Sequence, residues 1–517
     1  VKFLYILSSL WEFLSVSNAE ECLYPSVLPL LSSIWNGAGK RSVMLTSEIK
    51  PRKRMAIISS YFANESYGLL GPQIAATIIQ ENTPYECIVI AVCREDDKAL
   101  LKDSLAAYFG HERPIVGFSA LSGRQDLFSL AKELKDGGAL TILAGPQADV
   151  DYLGEEGWED HAHRFKGLSN YFSFALHGPA EQVIPFLQDV NGKAWREAPG
   201  ILSLSDEGRI LHNTKKSWEA GFLRRVLWNN IYRLGTEGLT PLPIQTAQVL
   251  QHIGCPHAAR SRWAEIDYPV SLVGKEVKKV RVLLRGCSFC DVAIDKGFHG
   301  SLDIGSVLSQ IHGLPEMADG RKIPFELINE NALPGLPHLL KRVRVVQLGL
   351  SQINLTLRAD WFVRGEEHLR EALQLANETG LQILLSSVGF ESFDDRILAN
   401  LNKGLTVETN LKAIGLMRQL KEEFPKVWKY ARQDGAIHGF IHPTPWDTAE
   451  TSASIQGVIG SYALPFDILP DHSIPLIIHH ASALGDWIRK VEKREKIQFK
   501  REVTVIGWWQ VGDRFTL

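Results

Sequence analysis

From residue 55 onward, short apolar runs alternate with amphipathic stretches. The runs at 56–62, 87–92, 115–119, 139–143 and 172–176 have strand length and are apolar at nearly every position. A strand without polar alternation is covered on both faces, which is the habit of parallel sheets. Between them, segments such as 127–134 repeat apolar residues three and four apart and predict helices. This is the pattern of an α/β, doubly wound, Rossmann-like sheet, which binds ligands beyond its strand C-termini. Residues 190–240 are more polar, and Pro199-Gly-Ile-Leu202 with a turn at Asp206-Glu-Gly208 predicts a linker with a hairpin. A second αβ series predicts strands at 247–253, 325–328, 353–357, 382–388, 436–441 and 476–478, with helices such as 366–377 between them. Six such strands suggest a partial TIM-like βα barrel. The expected organisation is an extension over 1–54, the open sheet over 55–190, a linker over 191–240, the barrel over 241–480 and a C-terminal extension over 481–517.

Composition adds limits. A length of 517 residues exceeds what one core usually organises. A net charge of −3 provides no global field for nucleic acid. Six cysteines, at 22, 87, 93, 255, 287 and 290, are too sparse for a disulfide scaffold and fit the reducing cytoplasm. Cys87 and Cys93 flank an apolar run and read as small buried hydrophobes. The stretch after Lys2 imitates a secretory signal, yet Glu12 interrupts it and it is too short to cross a bilayer, so no membrane role is indicated. The natural start is expected later, with Met55 before the first strand as the candidate.

Arg285-Gly-Cys-Ser-Phe-Cys-Asp291 places two thiols three positions apart, so one loop can present both to a single metal centre. Taken alone, the spacing also suits structural zinc, with Cys255 as third ligand and His257 as fourth.

Cys287-Ser-Phe-Cys290 resembles the second half of the radical S-adenosylmethionine (SAM) signature. That family has a first cysteine four positions earlier, where this chain has Leu283. Its usual context, Gly-Cys-Pro, occurs upstream as Gly254-Cys255-Pro256, with 31 residues between Cys255 and Cys287. The expectation is a signature split by an insertion, with a hairpin around Val273-Gly-Lys-Glu276. Three cysteines would leave one iron of a 4Fe-4S cluster open, and in the family the amine and carboxylate of SAM occupy it. An electron then breaks the sulfonium bond to give a 5'-deoxyadenosyl radical. Gly389-Phe-Glu-Ser392, Arg396-Ile-Leu and Leu401-Asn-Lys-Gly404 resemble a second passage of that family. The resemblance makes Glu391 and Ser392 contacts of SAM, with Phe289, Asn329 and Glu330. Arg358 could pair with the SAM carboxylate through its planar fork or form a structural salt bridge. Asn402-Lys-Gly404 also reads as a plain loop before a helix. Gly439 to Trp446 matches more loosely, either as SAM contacts or as a rigid turn with a core tryptophan.

The first sheet resembles the cobalamin-binding domain that precedes such barrels. Ser119-Ala-Leu-Ser-Gly123, Ala144-Gly-Pro-Gln147 and His177-Gly-Pro-Ala-Glu181 match its ligand-facing loops, making Ser119, Ser122, Gly145, Pro146, Gly178 and Glu181 the implied cobalamin contacts. Where many cobalamin folds carry a cobalt-ligating histidine, this chain reads Asn64-Glu-Ser-Tyr-Gly68, so no histidine ligand is expected. A flavodoxin-like sheet without a ligand is the other reading. The family further implies an electron donor of flavodoxin or ferredoxin type. The expected activity is methyl transfer to, or rearrangement of, an unactivated carbon, on an unknown substrate. A non-catalytic cobalamin- or zinc-binding sensor is the alternative.

Overall fold

The computed structural model describes residues 52–508 apart from 121–122, 146, 155–166, 193, 217–218, 274–277, 291–299, 469–472 and 503. The expected N-terminal extension, up to residue 51, and the turn at 274–277 lie outside the described residues.

Strands β1 (Lys53–Ser60), β2 (Tyr85–Val92), β3 (Ile115–Ser119), β4 (Leu140–Leu143) and β5 (Phe174–Leu176) are parallel neighbours in the order β5-β4-β3-β1-β2. Their apolar runs are buried because helices cover both faces, among them α1 (Leu70–Asn82), α2 (Lys98–Phe109) and α3 (Gln125–Asp136). The order reverses between β1 and β3, the switch point where such sheets open a crevice.

The segment expected as a linker does more than connect. Strands β6 (Ile201–Leu204) and β7 (Ile210–His212) form the hairpin and join the sheet beside β5, while β8 (Ile231–Gly235) and β9 (Gly238–Pro241) extend it beyond β2. The result is one nine-stranded sheet. Its outermost strands, β7 and β9, are edges and largely exposed, so they are polar enough to read as linker.

Strands β10 (Ala247–Leu250), β15 (Phe325–Ile328), β16 (Gln352–Arg358), β17 (Gln382–Gly389) and β18 (Trp428–Lys429) form a second parallel sheet in that order. Helices Ile304–His312, Leu336–Val345, Glu366–Thr379 and Val407–Glu423 connect them. The predicted strand at 436–441 is reduced to isolated parallel bridges, Glu391 to Phe440 and Ile441 to Ile474, which carry the barrel wall onward. The predicted sixth strand appears as β19 (Ile477–His479), whose ladder is antiparallel to β21 (Val505–Trp508); β21 in turn pairs with β20 (Arg501–Glu502). The first domain also touches the barrel edge directly: Tyr67 bridges Thr246, and Leu70 N donates to Gln248 Oε1 at 3.2 Å.

Between β10 and β15 lies the insertion. Strands β11 (His252–Ile253) and β14 (Gly300–Ser301) pair briefly, and within them β12 (Ser261–Asp267) and β13 (Lys279–Arg285) form an antiparallel hairpin with Ser261 opposite Arg285. Val280, Val282 and Leu284 face inward while Lys279, Arg281 and Leu283 face out, the alternation of a half-covered ribbon. Asp267 anchors its far end: its carbonyl accepts from Trp446 Nε1 at 2.9 Å and Trp487 Nε1 at 3.1 Å, and its N–H donates to Asn400 Oδ1 at 3.0 Å. Trp487 belongs to the C-terminal helix Ala483–Glu495, which packs along β13 through Lys490 and Arg494, each donating to a β13 carbonyl. Among the described residues no helix is long and apolar enough to cross a membrane.

Candidate functional site

The hairpin register decides where the cysteines fall. With Ser261 opposite Arg285, the turn of Cys255 to Arg260 and the loop starting at Gly286 are brought side by side at its base. Gly286 sits so close to Ala258 that an added Cβ would lie 3.1 Å from that residue's Cβ, and its φ of +66° suits glycine. Cys290 N donates to Cys287 O at 3.2 Å, so one tight turn carries both thiols. Three bonds fix this turn: Ser288 N to Leu401 O at 2.9 Å, Ser288 Oγ to Asn400 O at 2.8 Å and Leu484 N to Ser288 O at 2.9 Å. Phe289 is packed into the barrel core. Leu283, at the position of the usual first cysteine, lies within β13 opposite Trp263 and is 41% exposed, facing solvent. Cys255 is the thiol at the hairpin base.

The electrostatics around these sulfurs are cationic. Arg358, at the end of β16, donates from Nη1 to Cys287 Sγ at 3.6 Å. Its Nε donates to Asp360 Oδ1 at 3.1 Å and its Nη2 to the Lys403 carbonyl. Arg358 thus combines a salt bridge with a contact to a cysteine. Lys403 is buried and pairs with Glu391 at 3.1 Å. Burial alone would lower its pKa, but Glu391 and Cys287 outweigh it and hold the ammonium above its ordinary value. Cys255 is pushed up to about 12 by burial, then by Glu330 and Cys287, so without metal it is a thiol. Burial raises Glu330 to about 7 against the pull of Lys403 and Arg358. His257 is lowered to about 4, by burial and then by Arg358, and its Nε2 lies 2.8 Å from the Asn402 carbonyl. It is thus a neutral ring engaged with the backbone. Among the described residues no three His, Cys, Asp or Glu side chains are grouped so as to hold a metal ion. A tetrahedral zinc would need its sulfurs about 3.8 Å apart, whereas a cluster spreads its cysteines over separate irons.

The other expected SAM contacts divide. Glu391 follows β17 with φ of +60°, a conformation rare for a side-chain-bearing residue, and the Lys403 pair lies on it. Ser392 is buried and its hydroxyl accepts from Asp394 N at 3.2 Å, a local turn bond. Asn329 is spent on Gln251 Oε1 at 2.8 Å and on Asn331 N at 2.9 Å. Lys403 and Asn402 read in the sequence either as part of a family-like passage or as a plain loop; the structure sets them beside the cysteine turn, with Asn402 bonded to Gly286 and Arg262. A buried lysine two residues after a leucine gives no periodic signal, and only the motif around it pointed there.

In the first domain a cleft of about 100 Å³, partly open to solvent, lies between the sheet and α1 at the switch point. Ser119, Gly145 and Gly178 line it at three strand C-termini, and Leu250 and Ile253 of the barrel complete the wall. Gly145 has φ of +83°, and an added Cβ would stand 3.1 Å from Ser119 Oγ. Ser122 and Pro146 lie outside the described residues. Glu181 does not line the cleft. Its Oε1 accepts from Glu219 N at 2.8 Å, tying down the chain after the hairpin, and among the described residues Oε2 has no hydrogen-bond partner. Burial raises its carboxyl to about 7. The folded state therefore holds a proton that the unfolded state releases from about pH 4.5, so stability falls as pH rises to about 7 and levels off above. Glu181→Gln is expected to match the parent at pH 4 and to be up to about 3 kcal/mol more stable at pH 8 by urea unfolding. Equal stability at both pH values would show that the carboxyl titrates normally. The Asn64 to Gly68 segment carries no histidine and is committed to the barrel edge, where Gly68 N donates to Thr246 O at 2.8 Å.

An open sheet with a switch-point cleft, followed by a partial barrel with cysteines above its strands, defines the class of architecture. The same fold occurs in a solved structure, OxsB. The chain is similar to the cobalamin-dependent S-adenosylmethionine radical enzyme OxsB with aqua-cobalamin and S-adenosylmethionine bound, at a TM-score of 0.54 and 12% identity, over 88% of this chain and 64% of that one. OxsB with aqua-cobalamin alone gives 0.53 and 12%, over 89% and 64%, and its apo, selenomethionine-labelled form 0.54 and 11%, over 88% and 64%. The likeness is one of fold, and the chain spans about 64% of the length of OxsB. No family model and no curated protein matches the sequence.

Proposed function

We propose that this chain is a cobalamin-dependent radical SAM enzyme that methylates or rearranges an unactivated carbon. The carrying observation is the junction of Cys255 with the Cys287–Cys290 turn at the base of the hairpin, beside Arg358 and above the barrel strands. The donor set fits a 4Fe-4S cluster with one open iron: three thiols at one end of the barrel, with Cys87 buried in β2 and Cys93 at its end. The apolar switch-point cleft is lined by Gly145 and Gly178 just past two strand C-termini, where small residues let a flat ring approach the backbone, and OxsB binds aqua-cobalamin and SAM. Bound together, these groups would supply a carbon-centred radical and a methyl carrier.

The protein's own residues orient and shield. Arg358 would orient the Cys287 sulfur through its 3.6 Å contact. Lys403 and Glu391 would fix the loop over the barrel mouth, and Glu330, poised near neutrality, could hold or release a proton there. Such chemistry needs reducing conditions, as the cytoplasm provides.

Anaerobic reconstitution with iron and sulfide tests the reading. Expected are about four irons per chain, 5'-deoxyadenosine from SAM on reduction, and a retained cobalamin spectrum. Gly145→Leu should weaken cobalamin binding roughly 10- to 100-fold by crowding the cleft. A protein that takes up zinc but no iron and sulfide, and cleaves no SAM, would instead be the sensor.

A further inference from the structure

The barrel interior is polar at a level where such interiors are normally filled with branched apolar side chains. The register of three parallel strands sets Gln248, Glu326 and Asn354 side by side, and Thr356 follows Asn354 on the same face of β16. Two residues further on, that face carries Arg358 to Cys287, so it is the face turned inward below the cysteines. The alternate residues Ile353, Leu355 and Leu357 pack in the apolar core. Glu326 is only 1% exposed. Its Oε1 accepts from Thr356 Oγ1 at 2.8 Å and its Oε2 from Gln248 Nε2 at 3.4 Å, while Ser386 Oγ of β17 lies 3.3 Å from Thr356 Oγ1. The first domain completes the layer. Tyr67, on the loop that pairs with the barrel edge at Thr246, brings its hydroxyl to Asn354.

An apolar layer would close the barrel at lower cost, because mutual bonds offset only part of the desolvation of buried polar groups. Toward the cysteines the side chains keep part of their surface, as Tyr67, Ser386, Ile328 and Glu330 do, so the layer floors a space that a ligand can enter. Its chemistry selects the occupant. A hydroxyl both donates and accepts, so Tyr67, Thr356 and Ser386 can each take a ligand hydroxyl beside the bonds they already make. An apolar ligand would leave these groups facing carbon, and the Glu326 carboxylate turns away an anion.

Resting on the function proposed above, we propose that this layer, with Tyr67 supplied by the first domain, recognises the hydroxyl groups of a neutral polyol substrate, a sugar or cyclitol ring. Both domains then touch the substrate, and the loop from Asn64 to Gly68 serves recognition in the barrel.

The test uses the full, reconstituted chain with SAM and dithionite, and takes glucose, ribose and myo-inositol as probes. One of them is expected to accelerate 5'-deoxyadenosine formation in a saturable way. Tyr67→Phe and Ser386→Ala each remove a single hydroxyl and should raise its KM about tenfold, more than they lower kcat. Glucuronate, the glucose ring with a carboxylate, is expected to compete poorly in the wild type and about tenfold better in Glu326→Gln. No response to any of the three polyols, an unchanged KM in both hydroxyl variants, or losses that only track the unfolding midpoint would overturn the assignment. Calorimetry with the same polyols separates the two proposals. Binding weakened by Tyr67→Phe in a chain that cleaves no SAM keeps the layer and removes the enzyme; SAM cleavage with neither polyol binding nor response removes the layer and keeps the enzyme.

Discussion

On the proposed function, Cys255→Ser is expected to lose the cluster, and a cysteine introduced at 283 is expected not to bring it back. Loss of a second-sphere partner already weakens metal sites by 10–100-fold, so loss of a ligand is expected to reduce iron retention by at least about 100-fold. The instructive comparison is the double variant Cys255→Ser, Leu283→Cys. In sequence it recreates the usual spacing of four before Cys287. In space it fails, because residue 283 lies within β13, opposite Trp263, and points to solvent. Iron and sulfide analysis with the visible absorption of the cluster reads both variants. Full iron in Cys255→Ser, or its return in the double variant, would mean that the hairpin does not place the ligands.

Lys403→Ala gives the largest expected loss of stability. The Lys403–Glu391 pair has side chains only 3% and 7% exposed, so neither charge can turn to water. Removing the ammonium strands a buried carboxylate and is expected to cost about 3–5 kcal/mol, or roughly 10 °C in the unfolding midpoint. Lys403→Met with Glu391→Gln removes both charges and should recover most of it, since two neutral groups of similar volume carry no unpaired charge. The loss is expected in the metal-free chain, which separates it from cofactor binding. A single variant within 1 °C of the parent in calorimetry would show that solvent reaches the pair.

Residues that are buried on both faces announced themselves. The run at 87–92 needs no alternation to be a strand, and the structure extends it only to Tyr85. Residues 436–441 carried the same apolar signal but form only isolated bridges, because their partners at 391 and 474 lie in loops rather than ladders. Edge strands such as β9, with one face to solvent, lost the apolar signal and read as linker. The site was legible where chemistry dictates residue type: the cysteines, and glycines at positive φ such as Gly145. It was not legible where geometry alone assigns a role. Arg358 and Glu181 have side chains able to reach a ligand, and only the fold shows that one turns to Asp360 and a cysteine and the other to a backbone N–H.

A four-residue loop can gather its thiols while the rest of the chain is still disordered. Here the separation from Cys255 to Cys287 is eightfold longer, and closing it costs about 1.8 kcal/mol more in chain entropy. The closure is secured by Asp267 accepting from Trp446 and Trp487, residues that leave the ribosome long after both cysteines. On the proposed function, the expected order of biogenesis is that helix Ala483–Glu495 is synthesised and docked before iron and sulfide are taken up.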